Sequence, residues 1–157
     1  GAVDADALSL GADVPVCLLA RAARMSGIGE KVRPLDGLPE LPAVLVNPRA
    51  AVSTPAVFTA LASRNNPPMG DIPSGLDLPE FCRWLAVQRN DMEASAQALQ
   101  PVIAEVLQAL SGALLARMSG SGATCFGIYP SRSAADAAAA QLSAAHPDWW
   151  VQPVTLT

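Results

Sequence analysis

An α+β fold is predicted, on three observations. From residue 41 onward, apolar runs of strand length alternate with capped segments whose apolar residues recur at helical spacing. Glycine, proline and asparagine punctuate nearly every junction between them. Hydrophobic residues make up 51% of the 157 residues and charged residues only 15%, against a usual charged share of about a quarter. That balance supplies a core and is the reverse of a disordered composition. Alanine accounts for 30 positions, which suits helices lying close against a sheet.

Taken in order, residues 4 to 10 read as a short helical end with Gly11 as terminator. Val14 to Leu19 is an apolar run containing Pro15, read as a strand at an edge or at its start. Ala22 to Met25 and Val32 to Leu35 flank a turn at Ser26-Gly27-Ile28-Gly29. Residues 1 to 35 hold too few elements for a core of their own, and are expected to belong to a sheet whose other strands lie elsewhere. Leu41 to Val46 is a continuous apolar strand, stopped at Asn47-Pro48. Thr54, followed by Pro55, reads as the cap of a helix reaching about Leu61. Residues 62 to 75 carry Asn65, Asn66, Pro67, Pro68, Gly70, Pro73 and Gly75. A loop of that length serves as a lid, a binding loop or a connector.

Asp77 and Glu80 form a capping-box pattern ahead of Leu78 to Ala86, and Asn90 with Glu93 repeats it. Pro101 starts a further helix, since it cannot donate from a helix interior. Val102, Ile103, Val106, Leu107 and Leu110 form its apolar stripe, and Gly112 ends it. Ala113 to Met118 and Ala123 to Tyr129 are strands joined by Ser119-Gly120-Ser121-Gly122. Ser133 and Asp136 cap an alanine-rich helix to Ala145, closed by His146-Pro147. Trp149 to Leu156 is the last strand. From residue 41 this is the segment order of a ferredoxin-like sandwich with extra helices.

Composition also excludes function classes. The formal net charge is -4 and no basic run exists, so the footprint that releases counterions from nucleic acid is missing. No apolar stretch approaches the roughly 20 residues that span a bilayer, and no leader pattern opens the chain. Cys17, Cys82 and Cys125 form no CxxC pair, so neither a disulfide framework nor a zinc site is expected, and a reducing cytoplasmic setting fits. Gly1 in place of an initiator methionine suggests a piece of a longer chain or a processed product.

Two segments carry candidate chemistry. In Arg117-Met118-Ser119-Gly120-Ser121-Gly122-Ala123, small residues let successive N–H groups converge on an anion, and Ser119 and Ser121 add hydroxyls. The bland alternative is a glycine-rich link between strands. The P-loop pattern fails because no Gly-Lys-Ser/Thr follows, and neither serine has the glycines of an esterase elbow. In Leu10-Gly11-Ala12-Asp13-Val14-Pro15, the Asp13 carboxylate could accept or orient a substrate hydroxyl proton, or merely cap a turn. Gly27-Ile28-Gly29-Glu30 is too short for a dinucleotide site and reads as a hairpin connection. His146, the sole histidine, reads as a surface cap rather than a ligand or a triad member.

On LGADVPVCL at 10–18, GIGE at 27–30, LVNPRAAVSTPAVF at 45–58, NDMEASAQALQPVI at 90–103 and ARMSGSGATCFGIY at 116–129, the chain resembles the C-terminal half of the 4-diphosphocytidyl-2-C-methyl-D-erythritol kinases of the GHMP kinase superfamily. Residues 62–75 and the tail from 146 match only loosely. The resemblance implies transfer of the γ-phosphoryl of ATP, with Mg2+, to the 2-hydroxyl of the diphosphocytidyl substrate. It implies a remnant of an N-terminal ribosomal-S5-like domain at 1–35 and a C-terminal ferredoxin-like domain at 36–157, with the site in the cleft between the two domains. Asp13 would be the catalytic aspartate, with Gly11, Ala12, Val14 and Pro15 shaping its substrate pocket. Ser119, Gly120, Ser121 and Gly122 would close over the phosphates. No metal ligand is implied for this chain.

The family's nucleotide loop, of the PxxxGLGGGSSDAA type, does not occur in these residues, nor does the early lysine that partners the aspartate. The 157 residues alone are therefore expected to be inactive, with no tightly bound cofactor, and to need an N-terminal kinase domain as partner. Val14, Val16 and Leu18 would then be exposed, and self-association through residues 1–35 is expected. The alternatives are another GHMP small-molecule kinase, acting on homoserine, mevalonate or phosphomevalonate, or a non-catalytic ferredoxin-like ligand-binding module.

Overall fold

A computed structural model describes residues 16, 19, 21–27, 29 and 31–157. Two compact units are present: residues 40–73 with 77–156, and the described residues up to 39 with 74–76 and 157. In the smaller unit, β1 (Ala23–Ser26) and β2 (Lys31–Pro34) pair antiparallel, with Met25 opposite Val32. Gly27 and Gly29 take positive φ at the connection, which glycine adopts without a Cβ penalty. The expected hairpin is thus present. The strand expected over Val14 to Leu19 is not: its two described residues, Val16 and Leu19, are helical. Proline suits the first turn of a helix as well as a strand edge, and a short apolar run does not separate the two. The helix expected at 4–10 lies outside the described residues, as does most of the segment through which self-association is expected.

The larger unit is built on a four-stranded antiparallel sheet. Its strands are β3 (Leu41–Asn47), β4 (Leu115–Met118), β5 (Cys125–Ile128) and β6 (Trp150–Leu156), in the order β4-β5-β3-β6. With helices crossing from β3 to β4 and from β5 to β6, this is the ferredoxin-like topology. Register places Val46 opposite Cys125 and Val151, and Val44 opposite Gly127 and Pro153. Pro153 is tolerated because β6 is an edge strand.

The larger unit has five helices: α1 (Thr54–Thr59), α2 (Leu78–Ala86), α3 (Glu93–Leu99), α4 (Val102–Ala109) and α5 (Arg132–Ala145). Val44, Val46, Met118 and Cys125 meet Ile103, Val106 and Leu110 from α4 and its end, and Ala135, Ala139 and Leu142 from α5, in one buried cluster. A Cβ at Gly127 would stand 3.0 Å from Leu110 and 3.1 Å from Ala113, so the close approach of helix end to sheet requires glycine there. On the opposite face, Arg117 of β4 donates from one guanidinium nitrogen to the carbonyls of Leu85 and Gln88, each at 2.7 Å. A cation there caps the end of α2.

Several caps fall one or two residues from their expected places. Ser53, not Thr54, accepts from the Ala56 amide. Ser131, not Ser133, accepts from the Ala134 amide, while Asp136 pairs with Arg132 at 2.9 Å. The Asp77–Glu80 box is as expected, with both of its bonds formed.

Candidate functional site

The Ser119–Gly122 segment turns sharply between β4 and β5. Ser119 N–H donates to Thr124 O at 2.8 Å and Gly122 N–H to Ser119 O at 3.0 Å. Gly120 and Gly122 hold φ of +54° and +87°, a region that side chains with a Cβ rarely adopt. Gly122 is also enclosed: a Cβ there would lie 3.0 Å from Met118 Sδ and 3.1 Å from Ile103 Cδ1, whereas a Cβ at Gly120 would meet nothing within 4 Å. Gly120 and Ser121 keep N–H groups without a partner among the described residues. Successive backbone amides without such a partner, beside small side chains, are the kind of backbone that can take an anion.

Three side chains hold this turn from outside it. Asn90 donates from Nδ2 to Met118 O at 3.2 Å and Gly120 O at 2.9 Å. The hydroxyls of Thr54 and Ser121 share a hydrogen bond of 2.9 Å. Asn47 Nδ2 donates to Thr124 Oγ1 at 2.9 Å, while its Oδ1 accepts from Arg49 N–H at 2.7 Å. None of the three was singled out as functional by the sequence. The capping box expected of Asn90 and Glu93 is not formed: the N-cap of α3 is Met92, with no side-chain cap bond, and Asn90 Oδ1 instead accepts from Met92 N–H at 3.1 Å in a turn ahead of the helix. A residue type that caps locally gives no sign that its other arm reaches 28 and 30 residues along the chain.

Beside the turn opens a cleft of about 480 Å³, lined by Phe58, Leu61, Arg64, Asn66, Arg89 and Gly120 among others. Arg64 donates to Phe58 O at 3.2 Å, and Arg89 to Pro67 O at 2.8 Å and to Asp91 at 2.9 Å. The long loop after α1 thus forms one wall, and Arg64, Arg89 and Asp91 are the charged residues of the lining, Arg89 being paired with Asp91.

Gly11, Ala12, Asp13, Val14 and Pro15 lie outside the described residues. His146 stacks on Trp149, with ring centroids 3.7 Å apart and 5° between planes, in keeping with a packing role. Among the described residues no group of three His, Cys, Asp or Glu could hold a metal ion. No helix among them is long and apolar enough to cross a membrane. Burial pushes the Cys125 thiol up to about 12, with Glu93 adding to the rise, and burial also raises Cys82. Both are protonated and inert near neutrality.

The family described as GHMP kinases C terminal matches residues 74–148. A 4-diphosphocytidyl-2-C-methyl-D-erythritol kinase of Dinoroseobacter shibae is 58% identical over 156 residues, 96% of this chain and 54% of the relative. That of Ruegeria pomeroyi is 59% identical over 149 residues, 92% of this chain and 53% of the relative. The chain spans about half the length of the known relatives it matches. A crystal structure of 4-(cytidine 5'-diphospho)-2C-methyl-D-erythritol kinase superposes with a TM-score of 0.77 at 34% identity, over 96% of this chain and 55% of that one. A homoserine kinase from Cytophaga hutchinsonii shares the fold, with a TM-score of 0.60 at 20% identity over 92% of this chain and 50% of that one.

Proposed function

We infer, for a chain that belongs to the GHMP kinase superfamily through its C-terminal domain, that the whole protein moves the γ-phosphoryl of ATP to the 2-hydroxyl of 4-diphosphocytidyl-2-C-methyl-D-erythritol in non-mevalonate isoprenoid biosynthesis. The observation that carries this reading is identity of 58% and 59%, sustained over more than nine-tenths of the chain, with kinases named for that substrate. Residues 1–35 would be the end of a ribosomal-S5-like kinase domain and 36–157 the ferredoxin-like domain that completes it.

Phosphoryl transfer leaves a protein little covalent work; it requires positioning and charge stabilisation. Asp13 would hold the attacking hydroxyl, accepting its hydrogen bond and then its proton. Gly11, Ala12, Val14 and Pro15 would shape the substrate pocket around it. The free amides of Gly120 and Ser121 suit phosphate oxygens, and the hydroxyls of Ser119 and Ser121 add donors. Mg2+ accompanies ATP in this chemistry and takes phosphate oxygens as its natural ligands.

The test is a coupled ADP-release assay on the full-length protein, with the cytidyl substrate, homoserine, mevalonate and phosphomevalonate offered in parallel. Turnover on the cytidyl substrate alone is expected. Asp13→Asn should lower kcat by at least about 100-fold, since general-base help contributes on the order of 10²–10⁴. The 157 residues by themselves should show no turnover. Preference for another alcohol would redirect the assignment within the superfamily, and an Asp13→Asn variant at full rate would refute the role of that carboxylate.

A further inference from the structure

We propose that Asn90 is a positioning residue for phosphoryl transfer, its carboxamide fixing the Ser119–Gly122 turn at the edge of the cleft; the proposal rests on the kinase reading above. Both ends of this half-buried side chain are in use. Oδ1 accepts from Met92 N–H at 3.1 Å, and Nδ2 donates to Met118 O at 3.2 Å and to Gly120 O at 2.9 Å. The two carbonyls flank Ser119, so one NH2 group sets the direction of the chain as it leaves β4 and enters the turn. Gly120, held at φ +54°, offers no side chain to fix that direction itself. Asn90 and Gly120 also line the same cleft. The Thr54–Ser121 bond is exposed and rests on two freely rotating hydroxyls, whereas the planar carboxamide makes a part-buried bond to Met118 O beside its exposed bond to Gly120 O. The carboxamide is therefore the tether on the cleft side, and it decides where the free amides of Gly120 and Ser121 point. Displacing such donors by about 1 Å can cost on the order of 10² in rate.

Two substitutions separate positioning from mere support. Asn90→Asp keeps the acceptor for Met92 N–H but turns a carboxylate oxygen toward two carbonyl oxygens, with Arg64, Arg89 and Asp91 as the charged groups of the same cleft. Asn90→Ala loses both arms but repels nothing. If Asn90 only supports the fold, stability and rate fall together and alanine is the worse change. If it positions the turn, the orders cross: Asn90→Ala is the less stable variant and Asn90→Asp the slower enzyme.

The full-length protein is assayed with ATP and the cytidyl substrate, alongside urea unfolding and amide hydrogen exchange at Gly122, whose N–H is bonded to Ser119 O. For Asn90→Asp, kcat should fall roughly 30-fold or more with KM for both substrates within about twofold, and Gly122 exchange should accelerate. If the charged variant does not fold, the kcat-against-KM split and the Gly122 exchange of Asn90→Ala decide the matter. A kcat within threefold of wild type, or losses that follow stability in both variants, would overturn the proposal. Wild-type protein inactive on the cytidyl substrate, with Gly122 exchange still faster in the variants, would instead overturn the kinase reading and leave the tether standing.

Discussion

At single positions, the glycines of the 119–122 turn are constrained in different ways. Gly120 and Gly122 both sit at positive φ, where a Cβ costs about 1–2 kcal/mol. Only Gly122 is also enclosed, by Met118 and Ile103 at 3.0 and 3.1 Å, so a methyl group there adds overpacking of about 1–3 kcal/mol. Gly122→Ala should therefore destabilise by roughly 3 kcal/mol and Gly120→Ala by about 1 kcal/mol, read from urea midpoints at constant m. Equal losses would mean that the packing around Gly122 relaxes freely. The composition of this turn was legible in the sequence because serine and glycine have few other uses in such a run. The identity of its tethers was not. Asn90 and Asn47 each spend one arm on a local turn, and Thr54 is the first residue of α1, next to its cap Ser53. Only the folded chain brings their other arms to residues 118–124.

At the scale of elements, α2 is fixed at both ends by devices of different range. Its start is a local capping box, Asp77 with Glu80, and such a box can be read from spacing alone. Its end is held by Arg117, across about 30 residues of chain, through two bonds of 2.7 Å to Leu85 O and Gln88 O. No periodicity announces that bond. A guanidinium donating to helix-end carbonyls in a half-buried place contributes about 2 kcal/mol. Arg117→Met keeps the length and apolar stem but deletes the donors, and should shift the urea midpoint by that amount. Arg117→Lys should recover only part, since an ammonium cannot reproduce the planar fork. A neutral Arg117→Met change would show α2 to be held by its own buried residues, Phe81 and Cys82, instead. Strand β3 was legible for the complementary reason: it is an apolar run stopped at Asn47-Pro48, whereas β5, four residues with Gly127 among them, and β6, with Gln152 and Pro153 inside it, were marked by the breakers around them. Val14 to Leu19 is also an apolar run, yet its described residues are helical, because five apolar residues and one proline fit either period.

For the molecule as a whole, the four-stranded sheet, its helices and the buried cluster all belong to residues 40–156. A chain limited to those residues should fold alone and unfold in one cooperative step, seen as coincident far-ultraviolet and tryptophan-fluorescence transitions. Its alkaline limb tests the core directly. Cys125 is fully buried between β3, α4 and α5, and burial, with a smaller push from Glu93, raises its thiol from 9.0 to about 12; burial raises Tyr129 in the same sense. Below about pH 9 the thiol is protonated in both the folded and the unfolded chain, and pH has no leverage through it. Between 9 and about 12 the unfolded chain releases the proton while the folded one retains it, so the unfolded state binds fewer protons and stability falls as pH rises. Urea midpoints should therefore decline across that window in the wild type, and decline less in Cys125→Ala measured against its own neutral value. Equal slopes in the two proteins would place Cys125 in contact with water and would contradict the tight sheet–helix packing from which the turn at 119–122 is suspended.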